Sequence, residues 1–225
     1  MNFLHAILLV LVAPSFLFSQ GTCSKKLQSS AKMGDLDQLK HLITSKESIN
    51  CIGEWEQTLL MKAIQNNRND IAHYLINNGA DIFKVDDEGS DALFKTAYYG
   101  MVEVAKLLIE KGANVNQKGY LGMTPLMMAS NREQLKLMEL LLSHSANINS
   151  QSNSGYTALM YASNPTTVTY LLNQGIDSSL KNSQGEDALA YFKSELKRFE
   201  DYGSEDMKMK TRAIIKIIEN RNNKK

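Results

Sequence analysis

The residues whose side chains could act as acids, bases, nucleophiles or metal ligands are few and widely spaced in this chain. His41, His73 and His144 lie at least 32 residues apart, so they do not form the His-Glu-x-x-His pattern of a zinc hydrolase. Ser-x-x-Lys segments begin at Ser29 and Ser178, but the further motifs that accompany a Ser-Lys nucleophile are absent from the sequence. A glycine-rich phosphate loop and a Cys-x-x-Cys pair are also absent from it. The sequence therefore predicts no catalytic residues, no metal site, no cofactor and no enzyme activity.

Composition and charge exclude several further classes of protein. The chain has 225 residues, which is enough to bury a sizeable core. Its 25 Lys and Arg nearly balance its 24 Asp and Glu, whereas a nucleic-acid binder needs a basic excess for its phosphate contacts. With 13 Gly, 3 Pro and 22% charged residues, the chain is neither collagen-like nor disordered through charge. We therefore expect an ordinary globular chain that binds no nucleic acid.

The start of the chain has the pattern of an export signal. Residues 1–24 contain no charged side chain, and residues 3–18 are almost wholly apolar. The unbroken apolar core is shorter than the roughly 20 residues that span a bilayer, and small or polar residues follow it. The pattern predicts a signal peptide of residues 1–19, cleaved after Ser19, and a mature chain that is free of the membrane and either periplasmic or secreted. Two alternatives stay open: an uncleaved membrane anchor, because Lys and Arg are missing from its start, and a lipoprotein attached through Cys23.

The chain has two cysteines, Cys23 and Cys51. In an oxidising compartment they can form one disulfide, which would close a loop of nearly 30 residues and stabilise the fold by about 3 kcal/mol. The alternative is a pair of separate buried thiols. The spacing alone does not decide between these two states.

A period of about 33 residues runs through the chain. Three kinds of segment recur in the same phase: a Thr or Asp before an apolar pair, a segment similar to Gly-Ala-Asn-Val, and the glycine of a turn. The Thr or Asp positions are Thr58, Asp91, Thr124, Thr157 and Asp187, separated by 33, 33, 33 and 30 residues. Three markers that keep one phase indicate a stacked repeat array.

Each period has the pattern of two short amphipathic helices. In the third period, apolar residues recur at helical spacing on both sides of Gly100. Neither helix can bury its apolar face alone, so neighbouring periods must stack on one another. The Thr or Asp can cap the first helix through its side-chain oxygen, and a glycine after the second helix suits a left-handed backbone. The pattern therefore predicts an all-α solenoid of helix-turn-helix units.

This pattern resembles the ankyrin repeat. The best-matching segment, Gly122–Ala129, reads Gly-Met-Thr-Pro-Leu-Met-Met-Ala, and residues 112–116 read Gly-Ala-Asn-Val-Asn, close to the closing motif of that family. The resemblance extends from Cys23 to about Asn220. It implies an ankyrin-repeat domain of residues 20–225, a solenoid of about six stacked units with β-hairpin-like turns. The implied units are approximately 23–50, 51–83, 84–116, 117–149, 150–180 and 181–220.

The last two units depart from the family pattern in opposite directions. The fifth unit is three residues short and carries Asn164-Pro165 where a helix would continue, so we expect it to be the weak point of the stack. The sixth unit has gained about 14 residues. Its first helix is expected to run long through Glu200, to turn near Gly203, and to be followed by a second helix around Ile214.

The resemblance also implies where a partner would bind. In ankyrin-like stacks, the turns and the exposed ends of the first helices line a concave groove. Here these positions include aromatic residues with polar tips, which binding hot spots favour. The alternative is that some of these rings pack between neighbouring units. The candidate positions are Trp55, Gln57, Asp87, Glu88, Tyr98, Tyr99, Tyr120, Leu121, Met123, Arg132 and Tyr156.

Together these patterns predict an exported, monomeric, non-catalytic protein that binds another protein through the groove. A sharper hypothesis is that it holds or neutralises an enzyme in the periplasm. One alternative is a secreted factor that acts on a host or another extracellular target. A second alternative is a small enzyme that uses the insertion in the last unit, around residues 193–206.

Overall fold

The computed structural model describes residues 23–223 of the protein, so the predicted signal peptide and its cleavage site lie outside the described residues. Within this range the chain forms twelve α-helices and an isolated antiparallel bridge between Ile52 and Thr58. No helix among residues 23–223 is long and apolar enough to cross a membrane. The helices are α1 (Lys25–Met33), α2 (Leu36–Leu42), α3 (Lys46–Ile49), α4 (Leu59–Gln65), α5 (Asn69–Asn77), α6 (Ala92–Tyr99), α7 (Val102–Glu110), α8 (Pro125–Asn131), α9 (Leu135–Ser143), α10 (Pro165–Asn173), α11 (Ala188–Tyr202) and α12 (Glu205–Asn222).

The capping residues set the phase of the units, as the sequence predicts. The side chains of Thr58, Asp91, Thr124 and Asp187 each accept a hydrogen bond from the backbone N–H three residues later, at 2.8 to 3.4 Å. Each bond satisfies one of the unpaired N–H groups at the start of a helix. The first helix of these units therefore begins at the same position of the period.

Stacking of equivalent helices builds one continuous core. The first helices α1, α4, α6 and α8 pack in series, and the second helices α5, α7 and α9 pack in a parallel row. Equivalent leucines two residues after each cap are at most 1% exposed, and so are equivalent leucines in the second helices. These leucines are Leu60, Leu93, Leu126 and Leu159 in the first series, and Leu75, Leu108 and Leu141 in the second. The predicted all-α solenoid is confirmed.

The fifth unit has lost its first helix. Residues 158–161 form a turn rather than a helix, and Asn164-Pro165 begins α10 instead of interrupting a helix. Asn164 caps α10, and Pro165 fits the first helical position because its missing N–H would have no partner there. The hydroxyl of Thr157, at the capping position, is buried without a hydrogen-bond partner. The shortened period thus keeps its second helix at the expense of the first.

The sixth unit is extended as the sequence predicts. Helix α11 has 15 residues and α12 has 18, and the two pack against each other after a turn at Gly203-Ser204. Ser204 caps α12 by accepting a hydrogen bond from the N–H of Met207 at 3.3 Å. This long pair closes the end of the stack, and α12 also packs against α10.

Cys23 and Cys51 are joined by a disulfide with a Cα–Cα distance of 4.9 Å. Both residues are buried, and the N–H of Cys23 donates to the carbonyl of Ile52 at 3.0 Å. The bond ties Cys23, two residues before α1, to the chain that enters the second unit. Of the two states that the sequence left open, the structure adopts the disulfide.

A buried carboxylate caps α6. Asp91 is 3% exposed, and its burial, with a contribution from the Asp86 carboxylate, raises the pKa of Asp91 to about 6. In the unfolded chain an Asp ionises near pH 4. Between these values the folded state holds a proton that the unfolded state has released, so the free energy of unfolding decreases as the pH rises through this window.

Replacing Asp91 by Thr, the residue that caps the equivalent helices at Thr58 and Thr124, should retain the cap and remove the buried charge. We expect the free energy of unfolding to rise by about 2 kcal/mol near neutral pH and to change little near pH 3.5, since one pKa unit corresponds to about 1.4 kcal/mol. Urea unfolding of the wild type and the variant at the two pH values measures both changes in the free energy of unfolding. A variant less stable than the wild type near neutral pH would show that the ionised Asp91 carboxylate does not destabilise the fold.

Candidate binding groove

Nine of the eleven predicted contact residues line one groove with a volume of about 660 Å³. The two others, Leu121 and Tyr156, lie beside it in the turns of the fourth and fifth units. The groove is formed by the turns before α4, α6 and α8 and by the ends of these helices, which present side chains to the same side. The nine residues are Trp55, Gln57, Asp87, Glu88, Tyr98, Tyr99, Tyr120, Met123 and Arg132.

Large apolar side chains are exposed at the tips of two turns. Trp55 is 69% exposed and Leu121 is 57% exposed. Both have a left-handed backbone, with φ 60° and 54°, and both are followed by a second residue of positive φ, Glu56 and Gly122. This is the conformation of a type I′ turn, which normally selects Asn-Gly because bulky residues are strained there. Backbone strain of this kind concentrates at functional sites, which makes these two tips candidate contacts.

The backbone of the following unit holds each of these tips. The N–H of Asp87 donates to the carbonyl of Trp55 at 3.4 Å, and the N–H of Asn153 donates to the carbonyl of Leu121 at 3.1 Å. The N–H of Tyr120 donates to the Ser90 hydroxyl at 3.1 Å and links the third turn to the fourth, so the tips form a connected ridge. The backbone that carries the exposed side chains is therefore fixed before any partner arrives, which lowers the entropy lost on binding.

Tyr98 and Arg132 form a second positioned pair inside the groove. The guanidinium carbon of Arg132 lies 3.8 Å from the ring centroid of Tyr98, within the range of a cation–π contact. The ring of Tyr98 also meets that of Tyr99 edge to face at 4.8 Å between centroids. Tyr98 is 38% exposed and nearby Tyr120 is 42% exposed, so both rings remain accessible. This arrangement offers flat apolar surface with polar tips.

The turn of the third unit contains one buried, ion-paired carboxylate and two exposed ones. The buried Asp86 carboxylate lies 2.5 Å from the ammonium of Lys95 and accepts hydrogen bonds from the N–H groups of Glu88 and Ser90. Asp87 is exposed, and the Glu88 carboxylate is 3.7 Å from the same ammonium. Asp87 and Glu88, together with Glu54 and Glu56 on the preceding turn, form an exposed acidic edge of the groove, which we call the acidic rim.

Three of the predicted contact residues have packing roles instead. Met123 is 4% exposed and belongs to the core, because its turn directs the side chain inward next to the cap of α8. Tyr156 is half-buried against Tyr161 and Tyr191, at centroid distances of 5.7 and 5.3 Å. Tyr99 is half-buried against the core. These three side chains pack against neighbouring residues, and the other eight positions remain candidate contacts.

Sequence reasoning missed several residues of the groove. Lys95, Asp86 and Tyr161 line it, although the repeat pattern does not predict them as contact positions. The contact between Lys95 and Asp86 depends on how the turn folds over the first helix, and the spacing of the two residues does not reveal this. Opposite charges nine positions apart, as in Asp86 and Lys95, are only a weak sequence signal for an ion pair.

The residues that could do chemistry are not brought together. His73 and His144 each place Nδ1 within 2.8 Å of the carbonyl four residues earlier, on separate helices, and His41 is exposed near the end of α2. Within residues 23–223 no group of three or more His, Cys, Asp or Glu could hold a metal ion. In the sixth unit, the exposed ammonium of Lys193 pairs with Glu219 at 2.8 Å.

Comparisons with known proteins agree with this architecture. The model of the ankyrin-repeat family, described as ankyrin repeats (3 copies), matches residues 27–119 and 115–182. Among solved structures, the immunity protein bound to a predatory endopeptidase of Bdellovibrio bacteriovorus is 28% identical, with a TM-score of 0.71. The match covers 87% of this chain and 99% of that protein. Among curated protein sequences, none matches this chain significantly.

Proposed function

The chain belongs to the ankyrin-repeat family and is a protein-binding module, and from this premise we propose that it binds and neutralises a partner enzyme. The observation that carries the proposal is the groove with its exposed, positioned Trp55, Tyr98 and Tyr120. Aromatic residues of this kind dominate the binding energy of protein interfaces. A partner seated on the groove is expected to bury about 1,200–2,000 Å² in total.

A peptidase is the proposed class of partner. The similar solved chain is an immunity protein in complex with an endopeptidase, and that likeness extends over most of both chains. The chain itself is proposed to be non-catalytic, since its groove is lined by side chains suited to contact rather than to bond cleavage. An immunity role requires tight, stoichiometric binding that occludes the partner's working surface.

We place this function in the periplasm. The apolar start of the chain supports export, with a mature domain of residues 20–225. The Cys23–Cys51 disulfide supports it independently, because disulfides persist in oxidising compartments. Cell fractionation of the native organism separates the possibilities. Recovery in the periplasmic fraction is expected, whereas recovery in the culture medium would favour a secreted factor and recovery in the membrane fraction would favour an uncleaved anchor or a lipoprotein.

Affinity capture from periplasmic extract tests the class of partner. The mature chain, immobilised through its carboxyl terminus, is expected to retain a hydrolase, and a peptidase in particular. A matched bait with the groove residues replaced by alanine separates specific capture from background. Capture of a protein without enzymatic activity, retained by the wild-type groove alone, would contradict the immunity role.

The acidic rim is expected to increase the rate at which a partner associates. Glu54, Glu56 and Asp87 should steer a partner with a basic surface, so we expect the association rate to fall about tenfold between 0.05 and 0.5 M NaCl. The dissociation rate should change much less, because rim charges act mainly on encounter. Surface plasmon resonance at a series of salt concentrations measures both rates.

The matched control is the triple variant Glu54→Gln, Glu56→Gln and Asp87→Asn. It should associate more slowly at low salt and lose most of the salt dependence. An association rate that is equally insensitive to salt in both proteins would exclude steering by this rim.

A further inference from the structure

The two irregular units of the solenoid meet at a second cavity. Between the turn that replaces the first helix of the fifth unit and the long helices α11 and α12 lies a cavity of about 320 Å³. The shortened unit leaves the space open, and the inserted residues of the sixth unit supply its far wall. Asn131 and Tyr161 line both this cavity and the groove, so the two spaces adjoin on the same face of the molecule.

The walls of the cavity are mainly aromatic and thioether side chains. Tyr161 and Met160 come from the turn of the fifth unit, and Phe192 and Phe199 come from α11. The ring of Tyr191, which also lines the cavity, packs edge to face against Phe192 with 5.2 Å between the centroids. Such walls attract a cation through the ring faces and accept methylene groups equally well.

Most of the charged groups that line the cavity are carboxylates. Glu133, Glu195 and Asp206 line it, against the single ammonium of Lys210, which is paired with Asp206 at 2.8 Å. Glu133 accepts a hydrogen bond from the Ser163 hydroxyl at 2.5 Å, and this bond holds the pKa of Glu133 below its usual value. Glu133 is therefore ionised at neutral pH.

Glu195 is the least accessible of these carboxylates. Its side chain is 17% exposed, and its ion-pair partner Arg198, 2.7 Å away on the same helix, is 67% exposed. The exposed Arg198 guanidinium therefore pairs with a carboxylate that also lines the cavity. An apolar occupant would desolvate Glu195 without replacing the lost hydrogen bonds, which is costly.

We propose that this cavity receives a basic side chain, Lys or Arg, of the partner protein, an inference that rests on the proposed function. The carboxylates supply charge-assisted hydrogen bonds to an ammonium or guanidinium group, and the rings and Met side chains contact its methylene stem. Glu133, Glu195 and Asp206 together carry one more charge than their partners Lys210 and Arg198 compensate, so the cavity favours a basic occupant over an acidic one. The cavity extends the groove, so a partner whose contact surface lies on the groove can insert this side chain at its edge.

The experiment needs no partner and uses small probes. The ¹⁵N-labelled mature chain is titrated with N-acetyl-L-arginine methylamide and, as a neutral isostere, with the corresponding citrulline amide. We expect the arginine probe to shift the backbone amide resonances of residues 160–163 and 191–210, and the citrulline probe to bind at least about fivefold more weakly. The amides around Trp55 should not shift.

Matched variants assign the effect to the carboxylates. Glu195→Gln and Glu133→Gln are each expected to weaken binding of the arginine probe by about threefold or more, whereas Glu110→Gln, on the exposed surface of α7, should not. A thermal unfolding scan of each variant verifies that the fold is retained.

Three outcomes overturn the proposal: equal binding of the two probes, resonance shifts confined to the groove, or no shift from either probe at 50 mM. None of these outcomes affects the capture of a partner by the groove, so a failure here is distinguishable from a failure of the proposed function. Conversely, if the wild-type chain binds the arginine probe but captures no partner, the cavity proposal stands and the proposed function fails.

Discussion

Replacing Trp55, Tyr98 and Tyr120 together by alanine is expected to abolish capture of the partner protein and to raise its dissociation constant by at least about 10³-fold. Truncation of a single hot-spot aromatic residue typically costs 2 kcal/mol or more, and the three losses need not add fully. The rings are 69%, 38% and 42% exposed, so their removal leaves the core intact. Tyr99 is retained in this variant because it packs against the core.

Thermal unfolding provides the control for this variant. The melting temperature should stay within a few degrees of the wild type, because exposed substitutions change stability little. Leu108→Ala, at a fully buried position of α7, serves as the comparison and should cost 2–5 kcal/mol. If the triple variant were destabilised as strongly as Leu108→Ala, the rings would be part of the packing and not a binding surface.

Loss of the disulfide is expected to lower the free energy of unfolding about as much as the truncation of a buried leucine. The double variant Cys23→Ser and Cys51→Ser should unfold with a free energy about 3 kcal/mol lower than that of the wild type, since the bond joins residues 28 positions apart and restricts the unfolded chain. Two hydroxyls placed in a buried site add a further cost unless they find partners. Urea unfolding at neutral pH measures the difference.

Reducing agent supplies the control for the disulfide. Dithiothreitol should destabilise the wild type by a similar amount and should have no effect on the double variant. Equal stability of the wild type with and without dithiothreitol would mean that the bond does not form in the protein, and the argument for an oxidising compartment would lose its structural support.

The repeated parts of the fold can be predicted from sequence because their determinants are local. A capping Thr or Asp, the buried leucine two residues later and the glycine after the second helix recur in phase, so each unit specifies the same geometry. Stacking then follows from the apolar faces. The long helices of the sixth unit are predictable for the same reason, because their pattern is helical throughout.

The details of the groove depend on contacts that sequence spacing does not reveal. Met123 and Tyr120 occupy the same turn, yet the first is buried and the second exposed, because the turn conformation decides which side chain faces the core. The left-handed backbone at Trp55 has no sequence signal, since Trp disfavours it. The loss of a helix in the fifth unit also follows from competition between neighbouring elements: Asn164 and Pro165 form a better start for α10 than an end for a preceding helix.

Titration of the captured enzyme with this protein tests the central claim most directly. With the wild-type chain, we expect the enzyme's activity to fall in proportion to the amount added and to reach a minimum at one chain per enzyme. With the variant that lacks Trp55, Tyr98 and Tyr120, the activity should remain unchanged at the same concentrations. Full activity in the saturated wild-type complex, or equal inhibition by both proteins, would contradict the conclusion that this groove neutralises an enzyme.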